Sequence, residues 1–317
     1  MPDPGPPPPP VVAVAGPCSV DMTLREPPAS WSTRTAKDHY TPDMLQSLEY
    51  PPELGLGGNG AAAAYVLGTL GVRVLLNGPT GNDTAGALVR QWLADANVEC
   101  VAAPGPSTMF AITPVDASAR RLACLLHPSP TIDWGLSANH SPATWLLIAA
   151  HSQVKSDELN QVSTALSRFR SRGGTTALDT GIGWMRTNRA EQMARLWAHV
   201  DVLIGTHDEL QFWTALATPE AIAEHALNLG VQRVVIKMGA KGAAFMSRSE
   251  SYTHQPAPHV SNSNVSVGAG DAFNGALIAK LIEGRSLEVS VNFAQTIAVK
   301  IVETGNGVIG WRPGRHL

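Results

Sequence analysis

Short apolar runs alternate with longer amphipathic segments along most of the chain. The apolar runs have the length of buried strands, and the longer segments repeat apolar residues at the spacing of a helix. This pattern predicts strands over residues 11–16, 72–78, 145–150, 175–180, 202–205 and 233–239. It predicts helices over residues 61–71, 84–96, 156–171, 190–199, 219–229 and 269–281, with a final helix through 289–302.

Strands that alternate with helices in this way indicate an α/β protein with a parallel sheet covered on both faces. In such sheets, ligands bind at the carboxyl ends of the strands. Two segments depart from the alternation: residues 18–56 are polar and punctuated by proline, and residues 107–127 hold two apolar runs around a turn at 116–119, as a hairpin would. We expect these two segments to form a small β lid over the ligand edge of the sheet.

The composition favours a globular protein that binds small ligands. The 317 residues are 44% hydrophobic and 15% charged, which suits one large domain with an insertion or two ordinary domains. The formal net charge is −3 and no basic block occurs, so we expect neither a nucleic-acid partner nor binding to a membrane surface.

The N-terminus and the cysteines bear on location. Residues 1–10, MPDPGPPPPP, lack the basic start and apolar core of a signal peptide, and no apolar stretch is long enough to cross a membrane. We expect a disordered proline-rich tail over 1–10, one domain over 11–317, and a cytoplasmic protein. Cys18, Cys100 and Cys124 lack the paired spacing of a zinc site or redox motif, so we expect reduced thiols.

The stretch VGAGDAFNGALIAKL places Asp271 directly after three small residues and before an apolar helix. Gly268, Ala269 and Gly270 leave the backbone nearly bare, and the N–H groups at a helix start have no intrahelical partner and favour an anion. We therefore expect an anion site at this loop, although Asp271 by itself also fits an ordinary helix cap.

Two other glycine-rich stretches are candidate ligand loops. In VVIKMGAKGAAF, Lys237 ends a predicted strand and Lys241 lies between Gly239 and Gly242, which suits a polyphosphate as well as an ordinary hairpin with a solvated lysine. GLGGNG at 55–60 matches the letters of the dinucleotide-binding fingerprint, but no strand of apolar residues precedes it, so we reject a dinucleotide site.

Carboxylates follow several of the predicted strands. Each of them fits a helix-capping role by default. Together along one edge of the sheet, they would supply the acidic groups that Mg²⁺ with nucleotide phosphates requires. They are Asp83, Asp179, Asp208 and Glu209.

The order of these motifs resembles that of the PfkB, or ribokinase-like, carbohydrate kinase family. GGNGAAAAYVLGTLGVRVLLNGPTGNDTAG is similar to the N-terminal signature of that family, VGAGDAFNGAL to its C-terminal signature, and KMGAKGA to its nucleotide-side turn. The resemblance spans residues 11–307. It implies a three-layer α/β/α sandwich with a mostly parallel sheet and a β lid. It also implies Mg²⁺-dependent transfer of the γ-phosphoryl group of ATP to a hydroxyl of a small sugar, sugar acid or nucleoside.

The resemblance implies roles for individual residues. Asp271 matches the catalytic base, and the N–H groups of Gly268, Ala269 and Gly270 match the anion hole for the transferred phosphoryl group. On the substrate side the matching residues are Asp21, Gly57 and Gly58, with Asn59 as the nearest amide; on the nucleotide side they are Gly239, Lys241, Gly242 and Asn292, beside Lys237 at the strand end.

Some positions depart from the family pattern. Ala62 stands where many members carry an asparagine that contacts a substrate hydroxyl. Val265 replaces an aspartate associated with a monovalent-cation site, which makes potassium activation doubtful. Residues 206–209 keep only Glu209 of the Asn-x-x-Glu motif that helps to hold the water shell of Mg²⁺, so we expect a retained but altered metal site.

Two other functions stay open on the sequence. A ligand-binding or regulatory protein of this fold would tolerate the changes at Ala62 and Val265, although the intact GAGD loop argues for catalysis. A kinase of another hydroxylated metabolite, such as a vitamin precursor, would share the loop, but the sugar-type N-terminal signature argues against it. The sequence leaves the acceptor and the oligomeric state undetermined, with a homodimer through the lid as one candidate.

Overall fold

The computed structural model describes residues 10–28, 47–118, 120–128, 130–135, 142–149, 158–186, 189–261 and 267–312. These residues form a large sheet with helices on both faces and a smaller, separate sheet. The predicted tail at 1–10 lies outside the described residues, apart from Pro10. No helix in the described part of the chain is long and apolar enough to cross a membrane.

The strands divide into two sheets, of nine and four strands. In chain order they are β1 Val11–Ala15, β2 Ser19–Arg25, β3 Glu53–Gly57, β4 Arg73–Asn77, β5 Val98–Cys100, β6 Met109–Val115, β7 Leu125–His127, β8 Trp145–Ala149, β9 Thr175–Asp179, β10 Val202–Thr206, β11 Arg233–Lys237, β12 Ala243–Ser247 and β13 Thr253–Gln255.

The large sheet has the order β13-β12-β11-β10-β9-β8-β1-β4-β5. Its strands pair in parallel from β11 through to β5, and only β12 and β13 at one edge are antiparallel. The predicted mostly parallel sheet is therefore confirmed. Because the strands are parallel, the carboxyl ends of β1, β4, β9, β10 and β11 meet at one edge, where the candidate ligand loops begin.

The helices of the described residues cover both faces of this sheet. They are α1 Asn59–Thr69, α2 Thr84–Asp95, α3 Glu158–Ser171, α4 Ala190–Trp197, α5 His207–Thr214, α6 Pro219–Asn228, α7 Ala269–Ile282 and α8 Leu287–Thr304, together with short 3-10 turns at Ile182–Arg186, Gly239–Lys241 and Val308–Gly310.

Alternate residues of β1 belong to two different hydrophobic clusters. Val12 and Val14 pack with residues of α1, α2, α7 and α8, whereas Ala13 and Ala15 pack with residues of α3, α4, α5 and α6. Successive side chains of a strand point to opposite faces, so a strand buried on both sides divides its residues in this way. The sheet is the middle layer of a three-layer α/β/α sandwich, as predicted.

The small sheet has the order β3-β2-β6-β7. β2 pairs with β3 in antiparallel and with β6 in parallel orientation, and β6 and β7 are antiparallel. These strands come from the two segments that interrupt the alternation, so the predicted small sheet is confirmed.

The predicted strands and helices are all present, with ends that agree within two residues where the structure describes them. The pattern missed β5, α5, β12 and β13, of which β5 and β13 have only three residues. Short elements carry too few periods of apolar residues to be recognised from the pattern. The Gly239–Gly242 region forms a β11–β12 hairpin, which was one of the two interpretations.

Candidate active site

The N-terminal ends of α1 and α7 meet at the carboxyl edge of the large sheet. Asn59, the first residue of α1, donates from Nδ2 to Oδ1 of Asp271 over 2.6 Å. Asp271 lies in the first turn of α7 and is half-buried. The two helices approach closely because Gly275 on α7 lacks a side chain: a Cβ there would lie only 2.6 Å from the carbonyl oxygen of Ala63 on α1.

The loop before Asp271 presents backbone amides next to a positive charge. Gly268 caps α7 with a φ of +82°, in the left-handed region that glycine adopts at little cost. Ala269 and Gly270 begin the helix, so their N–H groups have no partner inside it. A Cβ at Gly270 would lie 3.8 Å from Nζ of Lys237. The ammonium group of Lys237 therefore lies beside the loop of the predicted anion site.

Lys237 is held at the end of β11 by two buried side chains. Its Nζ donates to Oδ1 of Asp179 over 3.3 Å and to Oδ1 of Asn274 over 3.1 Å. Nδ2 of Asn274 in turn donates to Oδ2 of Asp179 over 2.9 Å. The side chains of Lys237 and Asp179 are only 13% and 4% exposed. Side chains from β9, β11 and α7 thus form a closed triangle of hydrogen bonds.

The electrostatic surroundings keep Lys237 protonated. Burial acts to lower the pKa of this lysine, because a charge loses its hydration away from water. The negative charges of Asp179, Glu209 and Asp271, in that order, more than offset this effect, and the pKa is raised above its usual value. Lys237 therefore supplies a fixed positive charge next to the Gly268–Asp271 loop.

On the predicted substrate side, the carboxylate of Asp21 lies against the backbone of the glycine pair. Its Oδ1 accepts a hydrogen bond from Oγ of Ser19 over 2.7 Å, and a Cβ at Gly57 would overlap this carboxylate. Gly58 has a φ of +79° and packs against the carbonyl of Pro17, where a Cβ would not fit. Bare backbone at the glycine pair thus makes room for Asp21 in front of α1.

The predicted nucleotide-side residues lie on the β11–β12 hairpin and on α8. Gly239–Lys241 forms a 3-10 turn with an exposed lysine, and Gly242 packs against the backbone at the end of β13. Gln295 on α8 donates from Nε2 to the carbonyl of the last residue of β13 over 3.0 Å. Asn292 is exposed about one helical turn earlier. Among the described residues, no hydrogen bond or ion pair joins the Asn292 side chain to the hairpin turn.

Most of the carboxylates predicted along the sheet edge have structural partners. Asp83 caps α2 by accepting from the backbone N–H of Gly86, and it also accepts from Oγ1 and N–H of Thr108 at the start of β6. The Thr108 hydroxyl is the main cause that lowers the pKa of Asp83. Glu209 closes a capping box, with Oε2 accepting from N–H of Thr206 over 2.8 Å. The default capping interpretation is thus confirmed for Asp83 and Glu209.

A metal site made by the protein alone is absent from the part of the chain that the structure describes, which holds no group of three or more His, Cys, Asp or Glu that could hold an ion. The interpretation of Asp179 as part of an acidic magnesium edge is not supported, because its carboxylate pairs with Lys237. Of the other predicted carboxylates, Asp208 is 97% exposed. Glu209, although it caps α5, suits a Mg²⁺ ion that arrives with nucleotide phosphates, since Mg²⁺ keeps several waters and takes few protein carboxylates.

A cavity of about 570 Å³ lies at the same edge of the sheet, near the end of β4. Its walls include Asn77, Ser107, His127 and Asp133. Nδ2 of Asn77 donates to the backbone oxygen of Asp133 over 2.7 Å, and Oγ of Ser107 lies 2.9 Å from Nε2 of His127. None of the predicted site residues is among the described residues that line this cavity.

The structure brings together two groups of predicted residues. The first contains Asp271, its loop, Asn59 and Lys237, and the second contains Asp21 with the glycine pair. The sequence interpretation missed Asn274, which completes the triangle with Lys237. A signal was available: Asn274 is a polar residue in an otherwise apolar helical run, three residues after Asp271 and therefore on a neighbouring part of the same helix face.

Two of the positions that depart from the family pattern are Ala62 and Val265. Ala62 is 1% exposed and packs in the hydrophobic cluster around α1. Val265 lies outside the described residues.

The chain matches the sequence model of the pfkB family carbohydrate kinase over residues 34–312. It is 32% identical to the ribokinase of Arabidopsis thaliana over 125 residues, 37% of this chain and 32% of that protein. It is 36% identical to the 1-phosphofructokinase of Escherichia coli strain K12 over 110 residues, 33% of this chain and 35% of that protein. These alignments span about a third of each relative.

Solved structures share the fold over nearly the whole chain. The structure of Arabidopsis thaliana ribokinase complexed with ribose and ATP superposes with a TM-score of 0.75, at 22% sequence identity, and the match covers 96% of each chain.

Proposed function

Because this chain belongs to the pfkB family of carbohydrate kinases, we propose that it transfers the γ-phosphoryl group of ATP to a hydroxyl of a small sugar, sugar acid or nucleoside. One observation carries the proposal. The carboxylate of Asp271 stands at a helix start, directly after bare amides and near the charged Lys237. Phosphoryl transfer depends mainly on positioning and on stabilising negative charge, and this site offers groups for both.

Asp271 acts as the base in this proposal. It takes the proton of the acceptor hydroxyl while the oxygen of that hydroxyl forms a bond to the γ-phosphorus. The bond from that phosphorus to the bridging oxygen of the β-phosphate breaks, and ADP leaves with the electron pair. Asn59 donates to Oδ1 of Asp271 and so fixes the orientation of the carboxylate.

The N–H groups of Gly268, Ala269 and Gly270 hold the transferred phosphoryl group, and the ammonium group of Lys237 adds a positive charge beside them. Glu209 would contact the water shell of a Mg²⁺ ion bound with ATP, and the ion would supply positive charge to the phosphates. Gly239, Lys241, Gly242 and Asn292 bind the nucleotide, and Asp21, Gly57, Gly58 and Asn59 bind the acceptor.

We propose a cytoplasmic location, because the proposed reaction consumes ATP. We also propose a homodimer through the small sheet. Leu54, Met22, Ile112 and Leu125 are register neighbours that form an apolar row across all four strands, on the face opposite Asp21. Leu54 and Leu125 are 46% and 49% exposed. Light scattering of Leu125→Asp, expected to be monomeric, tests this assembly.

The test of the proposed function is ATP consumption over a panel of pentoses, hexoses, sugar phosphates, sugar acids and nucleosides. We expect turnover with at least one acceptor and a kcat lower by about 10²- to 10⁴-fold in Asp271→Asn, which removes the base but keeps the shape. Asp208→Asn, at a 97% exposed carboxylate in the first turn of α5, is the matched control and should keep the wild-type rate.

Nucleotide affinity should stay near the wild-type value in Asp271→Asn. A variant with a normal rate would rule out the role of Asp271. A wild-type protein that binds ATP tightly but phosphorylates no acceptor would favour a ligand-binding or regulatory function instead.

A further inference from the structure

We propose that Asp179 and Asn274 are positioning residues that aim the ammonium group of Lys237 at the phosphoryl group held by the Gly268–Asp271 loop. This inference rests on the proposed function and adds two residues to it. Neither residue is placed to touch the substrate; they act through Lys237.

The chemistry of the triangle allows only one arrangement. An ammonium group only donates hydrogen bonds and a carboxylate only accepts them, so the amide that joins them must turn its oxygen to Lys237 and its nitrogen to Asp179. The distances follow this arrangement, with 3.1 Å from Nζ to Oδ1 of Asn274 and 2.9 Å from Nδ2 of Asn274 to Oδ2 of Asp179. Asn274 is completely buried, so its amide is shielded from water. The direction of the ammonium group is therefore determined by its neighbours.

Two of the three N–H donors of Lys237 are used within the triangle. Within the described part of the chain, the hydrogen bonds of Nζ go to these two side chains. The Cβ position at Gly270 lies 3.8 Å from Nζ, which places the ammonium group within reach of an anion bound at the loop. A phosphoryl oxygen is the acceptor that the third donor fits.

A structural ion pair is the competing explanation, and two features count against it. A carboxylate and an ammonium group that only held β9 to β11 would need no bridge from the helix that carries Asp271. The pair also lies at the carboxyl edge of the sheet, where ligands bind, whereas the Arg170–Asp201 pair, at 3.1 Å, lies at the opposite end of the strands.

The test compares Asp179→Asn with Asp201→Asn, because both variants neutralise a largely buried aspartate paired with a base. We expect Asp179→Asn to lower kcat/KM for ATP by about 10- to 100-fold, by analogy with the loss of residues that orient metal-binding side chains. Asp201→Asn should reduce the unfolding temperature but leave kcat/KM unchanged.

The pH profile separates positioning from stability. Among the described residues, the charged groups that face Lys237 are Asp179 on β9, Glu209 on α5 and Asp271 on α7. Without Asp179 the pKa of Lys237 falls, so the rate of Asp179→Asn should decline further as pH rises from 7 to 9.5. The wild-type protein and Asp201→Asn should show no such decline over this interval.

Two further variants keep the inference testable if Asp179→Asn does not fold. Asn274→Ala removes the bridge and leaves the ion pair, so we expect a smaller loss than in Asp179→Asn, with a kcat/KM about 3- to 10-fold lower. The double variant Asp179→Asn/Lys237→Met removes both charges and should fold but stay slow. Wild-type rates in Asn274→Ala, a pH profile of Asp179→Asn equal to that of Asp201→Asn, or recovery of activity in the double variant would each overturn the inference.

Binding of the magnesium complex of AMP-PNP, measured by calorimetry, distinguishes failure of this inference from failure of the proposed function. A wild-type protein that binds this analogue but phosphorylates no acceptor would refute the proposed function. The positioning role would still be tested, because Asp179→Asn should then bind the analogue more weakly, and increasingly so at higher pH. Equal affinity in both proteins at every pH would overturn it, and so would absence of binding to the wild-type protein.

Discussion

Gly270→Ala is the sharpest test of the anion site, because the structure predicts opposite effects on stability and on activity. Gly270 does not have a positive φ, and a Cβ there meets nothing closer than Nζ of Lys237 at 3.8 Å, an ordinary van der Waals distance. The new methyl group therefore fits the folded protein. It lies, however, in the space between the lysine and the loop.

The expected magnitudes follow from these two facts. Alanine in a helix is favoured over glycine by about 0.5 to 1 kcal/mol, so the free energy of unfolding should stay equal or rise slightly. A phosphoryl oxygen bound by Lys237 would lie about 2.8 Å from Nζ, in the space that the methyl group now occupies. Loss of one such contact with a developing negative charge costs about 10²- to 10³-fold in kcat, and we expect a reduction of that size.

The assay pairs urea unfolding with steady-state ATP consumption. Gly275→Ala in the same helix is the matched control, because its Cβ would lie 2.6 Å from a backbone oxygen of α1. It should destabilise the protein measurably, unlike Gly270→Ala. A Gly270→Ala protein with normal kcat and normal KM for ATP would refute the assignment of this loop as the anion hole.

Other predictions concern the substrate side, the α2 cap and the cation requirement. Gly57→Ala should raise the KM for the acceptor at least about tenfold by displacing Asp21, as expected when a polar partner of a substrate hydroxyl is lost. Gly55→Ala on the same strand, where a Cβ meets nothing within 4 Å, should leave this KM unchanged. Equal KM values in the Gly57→Ala and Gly55→Ala proteins would contradict the role of Asp21. Asp83→Ala should cost about 1 kcal/mol of unfolding free energy at neutral pH. The pKa of Asp83 is lowered in the folded protein. The stabilisation that its charge provides is therefore fully present above the unfolded pKa and is lost as pH falls through the folded pKa. The difference in unfolding free energy between Asp83→Ala and wild type, measured in urea, should therefore shrink below about pH 4. A difference that does not change with pH would show that the charge of Asp83 does not stabilise the protein. Because position 265 is a valine, we expect equal rates of ATP consumption in potassium chloride and in choline chloride. Strong activation by potassium would show this prediction to be wrong.

The layers of the fold could be predicted because their signals are local. A strand buried on both faces needs a short apolar run, and an amphipathic helix needs apolar residues at helical spacing; both are visible within one segment. The elements that escaped prediction are too short for this signal, such as β5 at Val98–Cys100, or depend on tertiary pairing, such as the antiparallel edge strands β12 and β13.

The site was only partly predictable, because its bonds join distant parts of the chain. The sequence alone determined that a bare loop precedes Asp271 at a helix start, since adjacent residues suffice for that inference. Tertiary structure decided which side chains face this loop: Asn59 is 212 positions from Asp271, and Asp179 is 95 positions from Asn274. It also decided that Asp179 pairs with Lys237, 58 positions away. Parallel pairing of β9, β10 and β11 and the close packing of α1 on α7 create these contacts, and neither leaves a trace in the spacing of the residues themselves.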